Sequence, residues 1–260
     1  MSGRALLVAA CSAIYFFLML PLAVVFPISL SSAPYMQFPP PGLSWQWYER
    51  YWNDSQWIDA TIRSTQIGFA TAAMALLLGV PLAFGLVRGR FPGRQMMERL
   101  TMAPIVVPTI ILSVAVYGLF ASLKLIGEWY GLALAHTVLA LPFVVLVVSA
   151  GLRDFDRSLE QAAEGLGASR WNTLCRVTLP ILRPSLVSAG LLAFVTSFDE
   201  LVVAMFLSGS RMTLPKKMFD NILMEIDPTI AAVSVMQILL VSLVLLLIGR
   251  FGRGLSATAR

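Results

Sequence analysis

Residues 129–152 read WYGLALAHTVLALPFVVLVVSAGL, a run without a single charged side chain. About 20 apolar residues in a helix cross the hydrocarbon core of a bilayer, so this run is long enough to span it. Uncharged runs recur at residues 64–87, 100–123 and 228–249, and a longer one occupies 5–48. A sixth run starts at Pro184, is interrupted by the acidic pair Asp199 and Glu200, and continues to Ser210. The pattern predicts an all-α membrane protein, one domain over residues 1–260, with six spans at about 5–30, 64–87, 100–123, 129–150, 184–208 and 228–249.

Composition agrees with that expectation and excludes others. Of 260 residues, 58% are hydrophobic and only 13% charged, which is unlike a soluble enzyme. The net charge of +5 would suit nucleic acid only if the basic residues formed a face on a soluble core. Here they lie between apolar runs, so no nucleic-acid partner is expected and the bilayer is the environment. Cys11 and Cys175 are too few and too far apart for a disulfide framework or a structural zinc site.

The first apolar stretch exceeds a signal-peptide core of about 7–15 residues and reads as a retained helix. Six spans put both termini on one side. Placing them in the cytoplasm assigns Arg4, Arg88, Arg90, Arg94, Arg99, Arg153, Arg157, Arg170, Arg176, Arg183, Arg250, Arg253 and Arg260 to the inside. Only Arg50, Arg63, Lys124, Arg211, Lys216 and Lys217 fall outside, and the excess of inner positive charge favours this orientation. The external stretch at 31–62 carries Trp45, Trp47, Tyr48, Tyr51, Trp52 and Trp57, which suit an interfacial belt or a docking surface. Pro81, Pro104, Pro108 and Pro142 interrupt helical hydrogen bonding and are tolerated where neighbouring helices cover the break.

The internal loop at about 152–183 is polar yet patterned. Leu152, Phe155, Leu159, Ala162, Ala163 and Leu166 recur at helical spacing, with Asp154, Asp156, Glu160 and Glu164 on the polar side. Gly167 fits a helix end in the left-handed conformation, and Ser169 fits the N-cap of a second short helix to about Val177. Pro180 and Pro184 turn the chain back to the membrane. Such a projection suits a groove on a cytoplasmic partner, or a plain connector.

Gln161-Ala162-Ala163, three residues, Gly167, nine residues and Val177-Thr178-Leu179-Pro180 together resemble the EAA loop of permease subunits of binding-protein-dependent type I ABC importers. Gln161 and Val177 stand where that pattern has Glu and Ile. The external Pro-Pro-Gly-Leu-Ser-Trp-Gln-Trp-Tyr at 40–48, Ser-Phe-Asp-Glu at 197–200 and Thr-Leu-Pro-Lys at 213–216 resemble the second permease of spermidine/putrescine-type systems. The resemblance implies a bacterial inner-membrane importer with two ATPase subunits, a second homologous permease and an extracytoplasmic solute-binding protein. It also implies that Glu160, Gln161, Ala162, Ala163, Glu164, Gly167, Ala168, Ser169, Arg170, Trp171, Leu179 and Pro180 couple the chain to the ATPase, with residues 168–176 as the coupling helix. No Walker A pattern occurs, so ATP and Mg are expected on the partner ATPase and no cofactor on this chain.

Asp199 and Glu200 are costly at bilayer depth and therefore need a compensating environment. Read as part of one continuous helix from Pro184, they lie beyond mid-membrane and about 100° apart, so at most one need line a pathway. Asp199 is the candidate for attracting a cationic substrate, with Glu200, Phe198 and Tyr117 as further pathway residues; the bland alternative is a structural ion pair. Ser113 and Thr109 are similar candidates. His136 has no titrating partner in its own span, which favours hydrogen-bonded packing over proton relay. A related importer for an aminophosphonate or organic acid, and an ion-coupled secondary transporter, are the competing expectations. An intramembrane enzyme would need a nucleophile with its base or a metal-ligand cluster, which one histidine and two remote cysteines do not provide.

Overall fold

The computed structural model describes residues 3–224 and 227–253, with no side-chain description for residues 250–253. The side chains of Arg250 and Arg253, and all of Arg260, which entered the orientation argument, therefore lie outside the described residues. Among the described residues, four helices are long and apolar enough to cross a membrane: α1 (Gly3–Ser29), α3 (Ser55–Arg88), α6 (Trp129–Asp154) and the helix that begins at Thr229. Two bent helix pairs raise the count of spans to as many as six.

The first bent pair is α4 (Arg94–Val106) and α5 (Thr109–Ser122), which meet at 105°. A continuous span at 100–123 was expected, and the break has a local cause. Pro108 lacks an N–H and its ring disfavours helical backbone at the residue before it, so Val107 adopts φ −75°, ψ 128°. The second pair joins residues 170–181 to α10 (Arg183–Phe198) at 68°.

After α6 the chain makes α7 (Ser158–Gly165), α8 (Arg170–Thr173), a π-helical turn (Leu174–Thr178) and α9 (Leu179–Ile181) before α10. The helix expected from Leu152 is divided here. α6 runs on to Asp154, and Asp156 Oδ1 accepts the Ser158 N–H at 2.9 Å, a local turn that competes with the helical ladder. Beyond α10 follow α11 (Val202–Leu207), α12 (Leu214–Met224) and α13 (Thr229–Arg253).

The chain forms two compact units. One comprises Met1–Asp59 with Lys217–Ser242, the other Ala60–Lys216 with Leu243–Arg260. In the first, α2 (Gln46–Asn53) packs against the segment that precedes it: Trp47 Nε1 donates to Ser31 O at 2.7 Å, and Arg50 pairs with the buried Asp227 at 3.1 Å. Trp47, Tyr51 and Trp57 are buried while Trp45 and Trp52 are exposed, so the aromatic-rich stretch divides into core and surface residues.

In the second unit α10 packs along α6 with small residues between them. Ala133, Ala140, Ala189 and Ala193 are fully buried, and small side chains let helix backbones approach closely where no hydrophobic effect drives them together. Gly79 shows the same constraint: a Cβ there would stand 2.7 Å from Val144 Cγ1. Ile67, Leu132, Ala135, Val203 and Leu207 continue this core towards α11.

Candidate functional site

The acidic pair sits at a break between helices, not within one. α10 ends at Phe198, Asp199 takes φ −93°, ψ 2°, and α11 starts at Val202. The expectation of a continuous helix through 184–208 therefore fails, and a carboxylate accounts for it. Glu200 accepts backbone N–H groups from Val202 at 3.1 Å, Val203 at 2.8 Å and Ala204 at 3.2 Å. These are donors that the start of a helix leaves unpaired, and a carboxylate there both satisfies them and complements the helix dipole. In a membrane, where no water would serve, that substitution is what makes a mid-span break tolerable.

Asp199 and Glu200 border a cleft of about 730 Å³, together with Pro104, Val106, Pro108, Thr109, Leu139, Phe143 and Thr196. The two helix breaks, at Val107–Pro108 and at 199–201, thus face one space. Asp199 is exposed there, whereas only 9% of the Glu200 side chain is. Thr109 lines the cleft. Phe198 is 3% exposed and stacks on Phe194 at 5.5 Å, so it packs between helices. Tyr117 is exposed on α5 and is not among the cleft-lining residues. Ser113 is buried and donates to Thr109 O at 2.7 Å. Thr196, a lining residue that sequence reasoning missed, had no local signal to single it out.

His136 anchors a buried polar chain beside this break. Its Nδ1 lies 2.8 Å from Ser197 Oγ, Ser197 Oγ donates to Thr71 Oγ1 at 3.1 Å, and Thr71 Oγ1 donates to Ala133 O at 3.3 Å. Three helices, α3, α6 and α10, are tied together one to two residues before the break. His136 Nε2 has no hydrogen-bond partner and faces Glu200 Oε2 at 3.6 Å. A titratable partner is therefore present, contributed by another span, which is why His136's own span did not reveal it.

The loop at 152–183 departs from its expected polarity. α7 buries none of its residues, and Leu159, Leu166 and Trp171 are exposed, Leu166 by 91%. Glu160, expected on the solvent side, instead turns inward. Arg88 Nη1 donates to its Oε1 at 2.8 Å and its Oε2 at 3.0 Å, and Thr178 donates to Oε1. Burial alone would raise the Glu160 carboxyl, but these hydrogen bonds and the Arg88 charge together hold it below its ordinary value. Gln161, Ala162 and Glu164 remain exposed, so Glu164 faces outward together with Asp154 and Asp156. Gly167 has φ +90°, and Ser169 caps α8 by accepting the Asn172 N–H at 3.3 Å. Ala168 is half-buried, while Arg170 and Pro180 are exposed. Arg88 had figured in the sequence only as an inner positive charge; its role appears only once the fold brings it to Glu160.

Among the described residues no group of His, Cys, Asp and Glu could hold a metal ion. Comparison with known proteins agrees with the geometry. Over 200 residues the chain is 34% identical to the spermidine/putrescine transport system permease protein PotC of Haemophilus influenzae, covering 76% of this chain and 78% of that one. It is 35% identical over 201 residues to the putrescine transport system permease protein PotI of Escherichia coli, covering 74% and 72%. A chain of a bacterial ABC transporter involved in the import of the acidic polysaccharide alginate shares the fold, with a TM-score of 0.73 at 19% identity, covering 96% of this chain and 97% of that one. Residues 75–257 match the binding-protein-dependent transport system inner membrane component family. The chain is a multi-pass membrane protein of that family, with the fold of an ABC importer permease.

Proposed function

We propose that this chain forms, with a second homologous permease, the translocation pathway of an importer for putrescine, spermidine or a related cationic amine. Two cytoplasmic ATP-binding cassette subunits, holding ATP and Mg, drive it, and an extracytoplasmic solute-binding protein loads it. Both termini are cytoplasmic, and the loop at 152–183 seats in the ATPase. The two ATPase states favour different arrangements of the pathway, so that it opens alternately to each side.

The observation that carries this reading is the division of labour between adjacent carboxylates. Glu200 is committed to the backbone of α11, while Asp199 is exposed on the cleft. A diamine has ammonium ends and a methylene stem. A cleft with one acidic side and walls of Pro104, Val106, Leu139 and Phe143 offers a counter-charge to the first and apolar contact to the second. The similarity to permeases named for spermidine and putrescine supports the same cargo.

The test is purification of the tagged chain in mild detergent, identification of copurifying proteins, and uptake of radiolabelled putrescine in proteoliposomes supplied with ATP and the binding protein. An ATPase and a second permease arriving together, with ATP-dependent putrescine uptake, is the expected result. A chain that purifies alone and transports alone would make it a secondary carrier.

A further inference from the structure

Four segments of the second unit converge on one cation. Arg88, the last residue of α3, binds both oxygens of Glu160 on α7, and Glu160 accepts from Thr178 in the π-helical turn. The guanidinium carbon lies 5.0 Å from the ring centroid of Phe84, one turn back on α3, and 5.5 Å from that of Phe155, where α6 ends. Arg88 Nε and Nη2 are buried without hydrogen-bond partners, so this part of the guanidinium is held by aromatic contact. Thr178 is itself fully buried.

The joint links the loop to the cleft through a single helix. A charge-assisted pair packed between rings resists rolling of α7 about its axis. α3 continues as one helix through Pro81, and such an element can carry displacement along its length. α3 carries Arg88 at one end and, 17 residues or about 25 Å earlier, Thr71. Thr71 is the residue that accepts from Ser197 beside the break at 199–201. Displacement of α7 is thereby passed to Arg88, along α3 to Thr71, and across to α10 two residues before Asp199. Leu159, Leu166 and Trp171 in and beside α7 and α8 are exposed and open to contact with another protein.

We propose that Arg88 is the positioning residue that transmits movement of the loop at 152–183 to α3, acting through Glu160; this rests on the loop being the seat of the ATPase. The pair sets how strongly events at the extracytoplasmic side change ATP hydrolysis, and it touches neither cargo nor nucleotide.

The experiment uses the assembled importer in proteoliposomes and reads ATP hydrolysis with and without putrescine-loaded binding protein. In Arg88→Ala and Glu160→Ala the ratio of stimulated to unstimulated hydrolysis falls by roughly tenfold, within the range reached by residues that couple distant sites. The ATPase still copurifies, and the reciprocal exchange Arg88→Glu with Glu160→Arg recovers part of the ratio. An unchanged ratio in both single variants overturns the proposal. Loss of the ATPase from both Arg88→Ala and Arg88→Lys also overturns it, because the joint would then serve folding alone. A wild-type chain that purifies without an ATPase removes the function proposed above and this proposal with it, whereas a normal wild-type response beside unaltered variants removes this proposal only.

Discussion

Glu200 Oε2 accepts the backbone N–H of Val203 at 2.8 Å, and that bond separates the roles of two neighbouring carboxylates. Asp199 is the one exposed on the cleft, where a cation would meet it. Asp199→Asn should therefore depress putrescine uptake in proteoliposomes by tenfold or more, about the 1.4 kcal/mol of one modest charge interaction. Copurification with the partner subunits should be unchanged. Glu200→Ala should do the reverse in kind: it removes a helix cap, worth about 1 kcal/mol, and should lower the unfolding midpoint of the purified chain. Normal uptake by Asp199→Asn would take that residue out of the pathway.

The polar chain behind the break predicts a second asymmetry. His136 is 1% exposed and bonded to Ser197, so His136→Ala leaves a buried hydroxyl with one fewer partner and opens a cavity. A cost of about 1–3 kcal/mol follows from the lost bond alone. His136→Gln retains a polar group near Ser197 and should recover part of it. Thermal unfolding in detergent checks both variants; equal midpoints for wild type and His136→Ala would show that the histidine does not tie the three helices.

These two relationships also mark where sequence reading stops. The run at 129–152 is legible because apolar length is a local property, and Gly167 and Ser169 are legible because a left-handed helix end and an N-cap each follow from one residue's chemistry. Glu200 was misplaced because a charge within an apolar run reads as an exception inside a helix. Its capping of Val202, Val203 and Ala204 requires that the helix has already ended. Pro104 and Pro108 announced interruption, but a 105° bend depends on what packs around them. Arg88 and Glu160 stand 72 positions apart, and such a pair leaves no trace in either neighbourhood. The amphipathic pattern of the loop consequently pointed Glu160 outward when a partner cation turns it in.

That pairing has a pH signature whose sign is fixed. Hydrogen bonds from Thr178 and Arg88 outweigh the effect of burial and lower the Glu160 carboxyl below its ordinary value of 4.5. A group whose value is depressed on folding adds stability that is fully present above the unfolded value and disappears as pH falls through the folded one. The joint should therefore hold at neutral pH and weaken only below 4.5. Acid unfolding of the purified chain, followed by tryptophan fluorescence, should show a step in this window that Glu160→Gln lacks. Parallel profiles for the two chains would mean that the ion pair contributes no stability.

Gly167 permits a test of backbone conformation free of side-chain collision. Its φ is +90°, yet a Cβ built there meets nothing within 4 Å. Any penalty of substitution then comes from the left-handed backbone itself, roughly 1–2 kcal/mol for an ordinary residue and more for a β-branched one. Asn, which tolerates that region, should be accepted, while Val should push the turn between α7 and α8 out of shape. Because the turn orients α8 against α7, Gly167→Val should lose stimulation of ATP hydrolysis by putrescine-loaded binding protein while the chain still inserts into membranes, and Gly167→Asn should keep most of it. If both variants behaved alike, the open space around the residue would exclude crowding, and the conformation of this turn would have no part in coupling.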